Sequence, residues 1–307
     1  MRKISQIFSD RFLTSPKKLL TKYDNFVFDC DGCLWNSKYP IPGAKEFVND
    51  LKNKNKNLFI VTNAAHHSRE SIHERFTSLF KVDIPLAKIF NAPYLTAKYT
   101  KHHYSNFSKA YVVGLDVIKD EFRNLGIETN GSDHNDSFYY NKNLADVREI
   151  DKDIDQDQIS KIYDIVVTGL DPQINLYKLN YAGILIQKGA KWLCTNPDMH
   201  DMSPNGYYVT ASGSMWKSIA VTVSMEPINV GKPNGFCWDL MEEEFGIDKK
   251  KTVMIGDNLK TDISFAGNAS VDSVLVMTGV TKYENLVDCG ESFGILPTYV
   301  CKSLKFD

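Results

Sequence analysis

The chain has 307 residues, 43% of them hydrophobic, which suffices for one large domain or two ordinary ones. Its net charge of −2 at pH 7 argues against partners held by bulk electrostatics, such as nucleic acid or an anionic membrane. No apolar run approaches the roughly 20 residues that a membrane helix requires, so a soluble globular protein is expected.

Residues 1–20, MRKISQIFSDRFLTSPKKLL, are basic and faintly amphipathic. They read as a surface helix on the core in preference to a mitochondrial address, and no secretory apolar segment with a cleavage site is visible. The first apolar run, Asn25-Phe-Val-Phe, leads into Asp29. Short β-rich runs of this kind predict strands buried on both faces, as in parallel sheets. Directly after it, Phe28-Asp29-Cys30-Asp31-Gly32 places two carboxylates at i and i+2. Left to themselves the two would repel each other. A magnesium ion takes such oxygen ligands, and one carboxylate can attack phosphorus while its neighbour moves the proton. Gly32 permits a sharp turn after the strand. An ordinary solvated turn built from Asp and Gly accounts for this motif equally well when it is taken alone.

Pro42-Gly43 opens a helical pattern with Ala44, Phe47, Val48 and Leu51 on one face. A second strand, Leu58-Phe-Ile-Val, ends at Thr62-Asn63, where a hydroxyl and backbone N–H groups at a helix entrance suit phosphate oxygens. Ser71 and Glu74 then form a candidate capping box ahead of Phe76, Leu79 and Phe80. Ala110-Tyr-Val-Val, Ile165-Val-Val and Trp192-Leu-Cys predict further strands and a second α/β unit. Residues 130–158 between them are polar and acid-rich and read as a mobile surface loop. Gly231-Lys232-Pro233 offers one lysine in a tight turn to offset charge on phosphate and carboxylate. Thr252-Val-Met-Ile runs into Gly256-Asp257-Asn258-Leu-Lys-Thr261-Asp262, a third acid after a third buried strand, and Ser273-Val-Leu-Val-Met is a fourth strand. Strand alternating with helix predicts an α/β fold with a doubly wound parallel sheet. Asp29, Thr62 and Asp257 all fall at strand carboxyl ends, where such sheets bind their ligands. The inserted domain is expected at 108–226, leaving a discontinuous first domain of 1–107 and 227–307.

Together these motifs read DxDG, TN, GKP and GDxxxTD, in that order. The sequence resembles the haloacid dehalogenase superfamily, and more narrowly its phosphoglycolate and 4-nitrophenyl phosphatase branch. FDCDGCLW, VTNAAHHSRE, TGLDPQINLYKLNYAG, CTNPDMHDMSPNGYYVTASGS, VGKPN and IGDNLKTDISFAGNA carry the resemblance, over about Asn25 to Gly279. It implies a Rossmannoid core with a large α/β cap, and a magnesium-dependent phosphatase for small phosphate monoesters. It further implies Asp29 as nucleophile and metal ligand, and Asp31 as general acid/base and backbone-carbonyl ligand. Asp257 would be a metal ligand, Thr62, Asn63, Ala64 and Lys232 would bind phosphate, and Asp262 would support them from behind. A homodimer through the cap follows from the resemblance too.

Several residues depart from the branch. Ala64-Ala65-His66 stands where relatives often have Asn-Ser-Thr, Cys33 replaces a common valine, and Ala266 and Ser270 replace glycines. Other signals lose to simpler readings. Cys30-x-x-Cys33 has no second pair at ligand spacing, and six scattered cysteines (30, 33, 194, 237, 289, 301) fit reduced thiols in the cytosol. Asp151, Asp153, Asp155 and Asp157 mimic an EF-hand, but Gln156 and Ile162 occupy its glycine and glutamate positions. The pairs His66-His67 and His102-His103 lack a partner at metal spacing, and the sequons at Asn106 and Asn135 mean nothing in a cytosolic chain. A dehalogenase would leave Asp31 and Asp257 idle, and a silent binding protein would be expected to have lost an acid or Lys232. The expected substrate is 2-phosphoglycolate or a similar metabolite, with pyridoxal phosphate next and nucleotide monophosphates also in the branch. Lys217 and the loop Gly169-Leu-Asp171-Pro172 are the candidate specificity elements, and for Lys217 a solvated helix lysine is an equal reading.

Overall fold

Each apolar run becomes a strand. The computed structural model describes residues 11–13, 15–36, 38–131, 163–203, 205–282, 286 and 296–305. In chain order the strands are β1 (Asn25–Phe28), β2 (Trp35–Asn36), β3 (Tyr39–Pro40), β4 (Asn57–Thr62), β5 (Ile89–Asn91), β6 (Lys109–Val113), β7 (Glu128–Asn130) and β8 (Ile165–Thr168). They continue with β9 (Lys191–Cys194), β10 (His200–Met202), β11 (Tyr208–Thr210), β12 (Ile228–Asn229), β13 (Thr252–Gly256), β14 (Asp272–Val276) and β15 (Tyr299–Cys301). The main helices are α1 (Ala44–Asn53), α2 (Arg69–Phe80), α3 (Ala92–His103), α4 (Asp116–Asn124), α5 (Leu176–Gln187), α6 (Ser212–Val223) and α7 (Phe236–Phe245).

The described residues divide into two compact units. One takes the chain up to Thr62, Arg69–Phe90 and the chain from Lys232; the other takes Asn63–Ser68 and Asn91–Gly231. The first unit holds a sheet in the order β15-β14-β13-β1-β4-β5. Strands β1, β4, β13, β14 and β15 run parallel, and β1 and β13 are buried along their whole length. Register places the chemistry. Phe28 pairs with Ile255 on one side and Ile60 on the other, so three strands finish level and present Asp29, Thr62 and Asp257 at one end of the sheet. Helix α1 buries Ala44, Phe47, Val48 and Leu51, the face its spacing predicts. Phe47 meets Phe26 and Phe28 of β1 edge-to-face, with ring centroids 5.9 and 6.2 Å apart. Helix α2 begins at Arg69, two residues ahead of the Ser71–Glu74 capping box. Ser68, a serine like Ser71, stands at the entrance instead, and Ser71 lies in the first turn. From the basic N-terminal stretch, the short helix Leu19–Lys22 packs Leu19 and Leu20 into the core.

The second unit has its own parallel sheet, β12-β9-β8-β6-β7, and an antiparallel hairpin of β10 and β11. Tyr111, Val166 and Trp192 from its strands meet Trp216 and Ile219 from α6 at the centre of its core. Helix α3 belongs to this unit and packs on α4. The acid-rich stretch from 132 to 158, with the EF-hand-like aspartates and the Asn135 sequon, lies outside the described residues. No helix among the described residues is long and apolar enough to cross a membrane. The five described cysteines are free and buried.

Candidate active site

The turn after β1 is closed by its own backbone. Leu34 and Trp35 donate their N–H groups to the carbonyl of Cys30 at 2.8 and 3.1 Å, and Gly32 donates to the carbonyl of Trp35 at 2.8 Å. Gly32 sits at φ +80°, and a Cβ there would lie 2.6 Å from Asp257 Oδ2 and 2.8 Å from Gly279 Cα. Only glycine satisfies both the backbone and the crowding. The turn leaves Asp29 buried and Asp31 exposed. Asp31 Oδ1 accepts a hydrogen bond from the Trp35 indole N–H at 3.1 Å.

Lys232 enters from the tight turn before α7 and is buried at 2% exposure. Its ammonium donates to Asp29 Oδ1 at 2.6 Å, to Asp262 Oδ1 at 2.6 Å and to the carbonyl of Val61 at 2.9 Å. Asp262 reaches this point on a π-helical turn, Leu259–Ile263. Its other oxygen accepts the N–H groups of Asp257 and Asn258 at 3.1 and 3.0 Å. Asp262 therefore braces both Lys232 and the backbone that carries Asp257. Asp257 Oδ2 accepts the Val280 N–H at 2.5 Å, and a Cβ on Gly279 would fall 1.8 Å from that oxygen. Thr62 is buried at the last position of β4.

Burial pushes the Asp29 carboxyl well above the usual carboxylate range; Lys232 opposes this, and Asp262 and Asp257 add to it. Asp257 is pushed up to about 7, first by burial and then by Asp262. Burial disfavours the charged form of Lys232, but Asp262 and Asp29 outweigh it and hold the ammonium protonated. Three buried carboxylates thus face one ammonium, a surplus of negative charge that protons or a cation must offset. Oxygens of Asp29, Asp257 and Asp262 can all lie within 4.8 Å of one another, and this is the one such acid, histidine or cysteine group among the described residues. An all-oxygen donor set suits a hard divalent cation. With Asp262 already bonded through both oxygens, Asp29 and Asp257 are the side chains suited to hold it.

The remaining predicted residues belong to the second unit. Asn63 donates its side-chain amide to Asp198 Oδ2 at 3.0 Å, its carbonyl accepts from Asn196 at 2.9 Å, and Ala64 beside it is half-buried. In the Gly169–Pro172 loop, Asp171 is buried against Lys178 at 2.6 Å, which ties the loop to α5. Lys217 is exposed and paired with Glu226. Burial raises the thiols of Cys30 and Cys33, which suits inert core residues. Trp35, at the end of FDCDGCLW, and Gly279, just past the end of β14, have parts in the site that their spacing does not reveal.

Haloacid dehalogenase-like hydrolase models match residues 26–128 and 229–305. The chain is 32% identical to phosphoglycolate phosphatase 2 of Arabidopsis thaliana, over 94% of this chain and 93% of that one. It is 30% identical to glycerol-3-phosphate phosphatase of Mus musculus, over 90% and 85%. The crystal structure of 4-nitrophenylphosphatase from Thermotoga maritima superposes with a TM-score of 0.76 at 26% identity, over 93% of this chain and 96% of that one. With its level strand ends, its buried acids and these relatives, the chain belongs to the haloacid dehalogenase-like hydrolases and is one of their phosphatases.

Proposed function

We propose that this phosphatase hydrolyses small phosphate monoesters through an aspartyl-phosphate on Asp29, with magnesium as cofactor. The observation that carries the reading is the buried Asp29–Lys232–Asp262 chain beside Asp257. In it a carboxylate oxygen stands ready as nucleophile, and an ammonium stands beside it to balance phosphoryl charge. Asp29 attacks phosphorus while Asp31 gives a proton to the departing alkoxide. Asp31 then takes a proton from the water that cleaves the acyl phosphate. Thr62 and Lys232 steady the transferring group. Asp29 and Asp257 would hold magnesium, with the Asp31 carbonyl, and when bound it offsets charge on the phosphoryl oxygens.

The second unit is read as the cap that restricts substrates, and the chain as a cytosolic homodimer joined through it. The preferred substrate is 2-phosphoglycolate, as the name of the Arabidopsis relative suggests; the name of the mouse relative supports glycerol 3-phosphate as the second reading. The test is kcat/KM across 2-phosphoglycolate, glycerol 3-phosphate, pyridoxal phosphate and a nucleotide monophosphate, with magnesium and after chelation. The reading expects activity that needs magnesium and favours 2-phosphoglycolate. A preference above about tenfold for another ester would overturn the substrate assignment, and full activity after chelation would overturn the metal.

A further inference from the structure

Asp31 is exposed, yet a proton donor must be aimed. Its one hydrogen bond among the described residues comes from the indole N–H of Trp35 at 3.1 Å. The indole itself has little freedom. Trp35 is 2% exposed, packs with Phe80 in the core, and carries the Arg75 guanidinium over its ring at 4.5 Å. Its backbone is fixed by bonds to Cys30 and Gly32. The N–H thus marks a fixed point in the turn that also carries Asp29.

We propose that Trp35 is a positioning residue that orients Asp31 for proton transfer to the leaving group. The inference rests on the reading of Asp31 as general acid. The carbonyl oxygen of a carboxylic acid is the better acceptor, so the indole N–H on Oδ1 favours that oxygen as the carbonyl and Oδ2 as the one that delivers the proton. As the Asp29–phosphorus bond forms and the ester P–O bond breaks, the alkoxide keeps the P–O electron pair. It takes its proton from Oδ2 and leaves Asp31 as the carboxylate. The rigid ring therefore selects both the carboxyl rotamer and the oxygen that delivers the proton.

The discriminating readout is leaving-group dependence, because a nitrophenolate departs with little protonation and an alkoxide does not. Trp35→Phe keeps an aromatic ring in the core and under Arg75 but removes the N–H. Its kcat/KM is expected to fall about tenfold or more for 2-phosphoglycolate and less than about threefold for 4-nitrophenyl phosphate, a share of the 10²–10⁴ typical of acid–base catalysis. Asp31→Asn is run beside it and should show the same selectivity more strongly. Equal losses on both esters for Trp35→Phe, or none, would overturn the positioning role while the Asp31 reading stands. Absence of leaving-group selectivity in Asp31→Asn would overturn that reading itself. Should Trp35→Phe not fold, benzothienylalanine placed at position 35 keeps the bicyclic shape without the N–H, and the same two rates decide.

Discussion

An ammonium has three protons to place, and Lys232 aims its own at Asp29, Asp262 and the carbonyl of Val61. Asp262 passes that order on, because its second oxygen grips the N–H groups of Asp257 and Asn258. Asp29 and the backbone of Asp257 are therefore held by one bonded chain that runs through Lys232 and Asp262. On the far side Asp257 is pinned by the Val280 N–H, and Gly279 leaves room for that contact. Gly279→Ala inserts a methyl group 1.8 Å from Asp257 Oδ2, so the carboxylate must move. We expect the magnesium needed for half-maximal activity to rise about 10- to 100-fold, the usual effect of disturbing a ligand's support. A magnesium titration of the variant checks this, and a wild-type requirement would count against the clamp. Ser270 shows the reverse situation: it stands at φ +55° with a side chain, a conformation that costs roughly 1 kcal/mol.

Among the elements, β1 leads into Asp29 and Asp31, and α1 supports β1. Phe47 is fully buried against Phe26 and Phe28, the residues that lead into Asp29. Phe47→Ala should cost about 3–5 kcal/mol in urea unfolding, from lost burial and the cavity left behind. A loss under about 1 kcal/mol would mean that the core collapses around the gap. The strands β1, β4, β13 and β14 were legible as sequence because buried parallel strands are continuous β-rich runs, and their polar ends marked the site. Short elements were not. Strands β5, β12 and β15 have two or three residues each, too few for a period, and tertiary pairing alone defines them. The start of α2 was missed because Ser68 and Ser71 are equivalent candidates until the chain's path is known. Asp29, Asp257, Thr62 and Lys232 were legible because each sits in a motif at a strand end or tight turn. The Trp35–Asp31 and Asp262–Asp257 bonds were not, since spacing does not reveal which oxygen a donor faces.

On the scale of the whole molecule, both ends of the described chain return to the first unit. Leu13 donates to Val300, Val300 donates to Arg11, and the Arg11 guanidinium reaches the carbonyl of Pro297 at 2.6 Å. Next to them Asp272 accepts from Tyr23 at 2.5 Å, from Lys22 at 3.0 Å and from Thr298 at 3.1 Å. Burial pushes the Asp272 carboxyl up, but the bonds from Tyr23, Lys22 and Thr298 outweigh it and hold it below the ordinary value. A depressed folded pKa means that the ion's stabilisation is complete above the unfolded value, near 4, and fades as pH falls through the folded one. Asp272→Asn should therefore lower stability at pH 7 and progressively less below about pH 4, measured as urea midpoints across pH. A constant penalty down to pH 2 would contradict the assignment.

If the phosphoryl group passes through Asp29, a covalent trap catches it there. The enzyme is quenched in acid during turnover of 2-phosphoglycolate and reduced with borohydride, which converts an aspartyl-phosphate to homoserine, and its peptides are mapped by mass. Homoserine is expected at position 29, and none when substrate is omitted. Undiminished turnover with Asp29 recovered intact, or with the label on another residue, would contradict passage through Asp29.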